Sequence, residues 1–174
     1  EWLFEITRQF SSRFVGEAIR EVCWALQKRA KSKIPDDIFD IVTNWAILDP
    51  DPSAEREKQF IENRTDNNPW DGFHHLGINS NRGTAIKTAV YWLVSQDPPQ
   101  VDRAFDLTEK VSLDPSRAVK SCVLESLHHL LQYDDKHAIA IFRRIILSEP
   151  LLLEEQLSER FLYRIHHTHL TENR

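Results

Sequence analysis

A short pattern of apolar and small residues occurs twice in this chain at a fixed separation. Residues 85–90 read Ala-Ile-Lys-Thr-Ala-Val and residues 118–123 read Ala-Val-Lys-Ser-Cys-Val, an offset of 33 residues. Self-similarity at such a period is typical of repeat proteins, in which each unit buries its apolar face against its neighbours. The duplication therefore predicts a stacked array, an architecture whose extended surfaces usually bind another macromolecule.

The rest of the chain predicts helices joined by short turns. Apolar residues recur every four positions from Trp2 to about Lys31, with Ser11 and Ser12 as a candidate break. Further helices are expected over 36–48, 81–95, 100–113, 116–132, 135–148 and 151–167. Short connections make successive helices antiparallel neighbours. We therefore expect an all-α fold, a right-handed solenoid of antiparallel helical hairpins.

Residues 114–127 resemble the second helix of a HEAT-type repeat. Asp114 and Pro115 form the turn, Val119 is followed by the basic Lys120, and small residues follow at Cys122 and Ser126. Residues 81–94 repeat this plan without the Asp-Pro turn, and residues 18–23 are a weaker third copy. The resemblance implies close helix packing at the small residues and an acidic partner for the lysine in a neighbouring repeat.

A longer resemblance covers about half of the chain, from residue 77 to its end. It consists of residues 77–85 (Gly-Ile-Asn-Ser-Asn-Arg-Gly-Thr-Ala), 114–119 (Asp-Pro-Ser-Arg-Ala-Val), 133–135 (Tyr-Asp-Asp) and 159–163 (Glu-Arg-Phe-Leu-Tyr). These motifs are similar to the helical-repeat region of large bacterial signal-transduction NTPases of the STAND class, which include antiviral defence proteins. The resemblance implies a sensor segment that recognises a foreign protein. The Gly-x-x-x-x-Gly-Lys-Ser/Thr motif of a nucleotide site does not occur in this sequence.

The periodicity fails between residues 49 and 80, where Pro, Asn, Asp and Gly accumulate and only 54–63 has the composition of a charged helix. Connections of this length are uncommon in compact domains and are often functional or disordered. We expect one repeat domain over 1–174, with N-terminal helices at 1–48, a long loop or insertion at 49–80 and HEAT-like repeats at 81–174. The chain begins with Glu1 and contains no Met, which predicts a fragment of a larger protein.

Charge and cysteine usage restrict the function classes. The net charge of −5 argues against a general nucleic-acid binder, because phosphate binding requires a dense basic surface. Cys23 and Cys122 are far apart on apolar helical positions, as expected of reduced core cysteines in a cytosolic protein. The sequence has no apolar run near the ~20 residues that span a bilayer. We predict a cytoplasmic protein with no membrane partner.

The sequence contains no convincing catalytic constellation. Gly-x-Ser-x-Gly and His-Glu-x-x-His are absent, and neither cysteine has an obvious basic neighbour. Glu125 and His128 match half of a di-iron carboxylate motif, but a second copy and two more carboxylates cannot be placed. Adjacent histidines on a helix point about 100° apart, so each of the three His-His pairs is interpreted as one packed and one solvent-facing ring. The sequence predicts no enzymatic activity, cofactor or metal.

Two groups of residues are candidates for binding a partner. The first group lies in the irregular segment and consists of Trp70, Phe73, His74 and His75. Aromatic side chains on an irregular segment are less often needed in the core, and aromatic residues are common among those that dominate the binding energy of interfaces. In the alternative interpretation, the Trp70 side chain packs against the helical hairpin beneath this segment. The inner faces of the helices near 81–95 and 116–132 complete the predicted binding surface.

Arg82 and Arg117 form the second group, because they stand at the starts of equivalent helices and are expected in a row. They line a groove in one interpretation and form solvated salt bridges in the other. The sequence thus predicts a non-catalytic protein-recognition or scaffold domain, the sensor or regulatory segment of a larger bacterial NTPase in antiviral defence. Its partner is expected to be a phage protein or another part of the same larger chain. The alternative is a HEAT-like nucleic-acid-binding module.

Overall fold

A computed structural model of the chain describes residues 1–13, 16–30, 33–63 and 72–172, with side chains through residue 167. Within these ranges every regular element is helical, which confirms the all-α class. The α-helices are α1 (Trp2–Phe10), α2 (Glu17–Gln27), α3 (Asp36–Leu48), α4 (Ala54–Asn63), α5 (Phe73–Ile78), α6 (Asn81–Ser95), α7 (Val101–Val111), α8 (Arg117–Leu130), α9 (Asp135–Ser148) and α10 (Gln156–Glu172). Two 3₁₀-helices, Ser11–Arg13 and Pro150–Glu154, precede α2 and α10.

Three helices have the predicted bounds. The expected ranges 36–48, 81–95 and 135–148 coincide with α3, α6 and α9. The first predicted helix is divided, because α1 ends at Phe10 and Gly16, with φ of 54°, precedes α2. Side chains of Ser80, Ser116 and Asp134 accept hydrogen bonds from backbone N–H groups in the first turns of α6, α8 and α9. These N-caps satisfy donors that have no partner inside the helix.

The helices lie in two rows. In the first row, α2 contacts α6, α6 contacts α8, and α8 contacts α10. In the second row, α3 contacts α7 and α7 contacts α9. Helices of the two rows pack against each other around a shared core in which Ile86, Val119 and Val123 are fully buried. The duplicated sequences thus form neighbouring helices, α6 and α8, of the first row.

The segment 49–80, expected as a long loop or insertion, contains two helices, α4 and α5, and residues 64–71 lie outside the described part. The six-residue α5 packs against α6 and α8. A Cβ atom on Gly77 would lie 2.3 Å from the carbonyl oxygen of Ala118, and one on Gly83 would lie 2.2 Å from that of Gly77. Only glycine permits this approach of three helices. The sequence did not predict α5, because a helix this short has no apolar periodicity.

Two carboxylates join this segment to the rest of the fold. Glu57 of α4 accepts a hydrogen bond from the backbone N–H of Arg117 at 3.0 Å, and Glu155 accepts one from that of Phe73 at 2.9 Å. Both carboxylates thereby lie at the positive N-terminal end of a helix, α8 or α5. The helices α4 and α5, the described helices of this segment, are therefore an integral part of the fold.

Candidate functional site

The middle and C-terminal parts of α6 and α8, together with Gln27 of α2, line a half-open cavity of about 140 Å³. Its walls are Gln27, Lys87, Tyr91, Glu125, Ser126 and His129. Lys87 and Tyr91 are four residues apart on α6, and so are Glu125 and His129 on α8. Each pair therefore lies on one helical face, opposite the buried stripe. We call this site the α6–α8 cavity.

Glu125 is the central charged group of the α6–α8 cavity. Its Oε2 lies 2.6 Å from His74 Nε2 and 2.8 Å from Lys87 Nζ, so one carboxylate joins α5, α6 and α8. Burial raises the pKa of the Glu125 carboxyl, but the hydrogen bonds and charges of His74 and Lys87 outweigh burial and lower the pKa to about 2. Glu125 is therefore ionised at every physiological pH.

Tyr91 and His129 form an aromatic pair at the edge of the cavity. Their ring centroids are 5.9 Å apart in an edge-to-face arrangement, and Tyr91 remains 41% exposed. Burial is the largest influence that lowers the pKa of His129; Glu125 raises that pKa, while the charges of Arg164 and Lys87 lower it further. The lowered pKa favours the neutral form of the His129 imidazole, with two cations and one anion acting on it.

Glu125 and His128, the half of a di-iron motif, have different partners. The Nε2 of His128 lies 3.1 Å from the carbonyl oxygen of Leu157, and its ring meets the ring of Phe161 edge-on. Glu125 instead contacts His74 and Lys87. Among the residues that the structure describes, no group of three or more His, Cys, Asp or Glu side chains is arranged to hold a metal ion.

The aromatic candidates of the irregular segment occupy different places. Trp70 lies outside the described residues. Phe73, expected on a loop, begins α5 and is only 1% exposed, with its ring centroid 5.8 Å from that of Phe60. The ring belongs to the core, because the helix that it starts is wedged between α6 and α8. His74 reaches the α6–α8 cavity through Glu125, and His75 is half-buried on the same helix.

Arg82 and Arg117 lie at the starts of α6 and α8, and both form salt bridges. Arg82 Nε lies 2.9 Å from Asp114 Oδ2, and Arg117 Nε lies 2.7 Å from Glu149 Oε2. In both pairs the acid follows the arginine by 32 residues. The two arginines line a groove of about 450 Å³ beside α4, and both guanidinium groups face it already paired. Lys120 also lies near Glu149, at 3.6 Å, so the lysine expected to reach an acidic partner does so.

Reasoning from the sequence located the helices of the cavity but missed most of its side chains. The inner faces of 81–95 and 116–132 were predicted as a binding surface, and His74 was a candidate. Lys87, Tyr91, Glu125 and His129 were not assigned to binding. The available signal was two polar pairs at i, i+4 spacing inside apolar helices, a pattern that solvent-facing helix surfaces share.

The chain matches no protein-family model, and the searches of curated proteins and of solved structures likewise returned no match. In the described ranges, no helix combines the length and the apolar character that crossing a membrane requires.

Proposed function

We propose that this chain is a non-catalytic protein-recognition module, built as an α-solenoid of HEAT-like repeats. Two observations support a solenoid. Each helix of a row contacts the next one along, which is the nearest-neighbour packing of repeat proteins. The pairs Arg82–Asp114 and Arg117–Glu149 also repeat one contact at successive junctions of the first row.

The α6–α8 cavity is the observation that carries the recognition function. Tyr91 is half exposed while the neighbouring Val90 and Trp92 are buried, so the ring is presented by a rigid helix. Tyrosine is enriched among the residues that dominate interface energies, and charged groups beside it add specificity. Lys87 and Glu125 supply such charges within the same cavity.

The resemblance to STAND-class repeat regions extends this proposal to a biological role. In that role the chain is the sensor or regulatory segment of a larger bacterial NTPase in antiviral defence. The partner is then a phage protein or another part of the same larger chain. No cofactor is required, because recognition depends on surface contacts alone.

A nucleic-acid-binding module is the less supported function. Arg82 and Arg117, the residues expected to contact phosphate, are paired with Asp114 and Glu149. The net charge of −5 opposes phosphate binding as well.

Site-specific photo-crosslinking tests the proposed function. A photoreactive residue replaces Tyr91, and in a control chain it replaces Arg143, which is exposed on α9 in the second row. Both chains are incubated with lysates of uninfected and phage-infected bacteria. We expect a discrete protein adduct at position 91 that is absent at position 143 and is lost when Lys87→Glu is added. Equal adducts at both positions, or none at position 91, contradict recognition through this surface.

A further inference from the structure

We infer that the α6–α8 cavity binds an acidic side chain, aspartate or glutamate, of a protein partner. This inference rests on the proposed function and specifies the chemistry of the partner at one subsite. It depends on the donors that line the cavity, on the charges that act there and on the size of the space.

Lys87 provides the donor for an incoming carboxylate. Its side chain is 23% exposed, and its Nζ lies 2.8 Å from Glu125 Oε2. An ammonium group has three N–H donors, and Glu125 is the one partner that the described residues give it. The remaining donors are therefore able to bind a second carboxylate from the open side of the cavity. A charge-assisted hydrogen bond of this kind is stronger than one between neutral groups.

The charges around the cavity favour an anion. The charged residues of the lining, Lys87 and Glu125, cancel each other, whereas the chain as a whole has a net charge of −5. Arg164 reaches α8 by donating a hydrogen bond from Nη1 to the carbonyl oxygen of His128 at 2.8 Å. The single negative group, Glu125, is already hydrogen-bonded to both His74 and Lys87. With Arg164 beside it, the cavity is thus less negative than the chain as a whole.

The size of the cavity fits one side chain. Pockets for small-molecule ligands usually measure roughly 300 to 1,000 Å³, whereas the α6–α8 cavity measures about 140 Å³. The rings of Tyr91 and His129 provide an apolar wall for the methylene groups that precede a carboxylate. A glutamate or aspartate side chain that projects from a partner satisfies both the shape and the charge.

A peptide-binding titration tests the inference on the full chain. The probe is a fluorescein-labelled peptide of about ten glutamates, and its anisotropy is followed at low ionic strength, where exposed charges are least screened. We expect Lys87→Gln to weaken binding about tenfold, the value of one charge-assisted hydrogen bond. Lys136→Gln is the control, because it removes the same charge from an exposed position on α9 in the second row.

Two further measurements distinguish a loss of binding from a loss of folding. Arg164→Gln, which changes an exposed residue of α10, should weaken the peptide by a few fold without altering the circular-dichroism melt. In the wild-type chain, bound peptide should raise the pKa of the His129 imidazole, followed by NMR, because an added anion favours the imidazolium ion.

Three results overturn the inference. The first is that the oligoglutamate peptide does not bind. The second is that Lys87→Gln and Lys136→Gln weaken its binding equally, and the third is that an oligolysine peptide binds in its place. In each case the crosslink at Tyr91 reports separately on the proposed function. If a single-stranded oligothymidylate displaces the peptide and itself depends on Lys87, the inference and the proposed function both fail.

Discussion

The two halves of the contact between α6 and α8 have opposite properties. At the starts of these helices, α5 fills the groove, and Gly77 and Gly83 bring three backbones within contact distance. At their ends, the same pair of helices leaves a cavity lined by Lys87, Tyr91 and Glu125. One helix pair thus provides both a sealed seam and an open site. The two halves differ because the chain covers one of them with its own segment, α5, and leaves the other open.

A charge placed in the core beneath both halves of the α6–α8 contact should have the largest effect on stability. Val119→Asp places a charge at a position that is fully buried between the two rows. An uncompensated buried charge costs several kcal/mol, so we expect loss of the cooperative melt by circular dichroism. Leu113→Asp is the control, because Leu113 is 68% exposed after α7 and its replacement should cost less than about 0.5 kcal/mol. An unchanged melt for Val119→Asp would contradict the packing of the two rows.

Gly77→Ala should disturb the packing of α5 against α6 and α8, and leave the open half of the α6–α8 contact unchanged. The new Cβ would lie 2.3 Å from the carbonyl oxygen of Ala118 in the backbone of α8. We expect a loss of about 1 to 3 kcal/mol in the free energy of unfolding, measured by urea denaturation.

Gly16→Ala is the matched control for Gly77→Ala. A Cβ at Gly16 meets no atom within 4 Å, although its φ of 54° imposes strain of about 1 to 2 kcal/mol. Hydrogen exchange distinguishes the two variants, because only Gly77→Ala should speed exchange of the α5 amides. If α5 stays equally protected in both variants, the close approach does not hold the seam.

The cluster of Glu125, His74 and Lys87, which lies between the sealed and the open half of the α6–α8 contact, should make the free energy of unfolding depend on pH. The pKa of Glu125 is about 2 in the folded chain, against an ordinary value of 4.5. A depressed pKa contributes stability above pH 4.5 that is lost as the pH falls towards 2. The difference in unfolding free energy between wild type and Glu125→Gln should therefore shrink over that interval.

Urea denaturation at pH 7, 5 and 3 measures this difference. Glu21→Gln, at an exposed position of α2, provides the comparison and should show little dependence. A constant difference between wild type and Glu125→Gln would contradict the cluster of Glu125 with His74 and Lys87.

Replacing neighbouring aromatic residues on α6 should separate binding from folding. Trp92 is 1% exposed and its Nε1 donates a hydrogen bond to the carbonyl oxygen of Leu26, whereas Tyr91 is 41% exposed. Trp92→Ala should cost about 3 to 5 kcal/mol, and Tyr91→Ala less than about 1 kcal/mol. Tyr91→Ala should nevertheless weaken the oligoglutamate peptide. Equal destabilisation by the two replacements would place Tyr91 in the core.

The long helices could be predicted from the sequence because their residues favour helix and turn residues separate them. The bounds of α6 and α9 follow from those turns and from the capping residues Ser80 and Asp134. The helix α5 could not be predicted, since its six residues are held by distant partners. Its first N–H group is capped by Glu155, which lies 82 residues further along the chain. Nothing local to Phe73 predicts that contact.

The candidate site was predictable only in part, for a related reason. The sequence shows which positions of α6 and α8 avoid the core, but it does not show the register of one helix against the other. The contact between Lys87 and Glu125 and the aromatic pair of Tyr91 with His129 both depend on that register. Phe73 was expected at the surface for the same reason, because α6 and α8, against which α5 packs, follow it in the chain.

The hydrogen bond between Phe73 and Glu155 also orders events during protein synthesis. A ribosome releases Phe73 long before Glu155, so newly made α5 has no cap for its first turn until the C-terminal helices emerge. The packing of α5 against α8 likewise has to wait for α8, which follows α5 in the chain. The native surroundings of α5 are therefore complete only after Glu155 has been made.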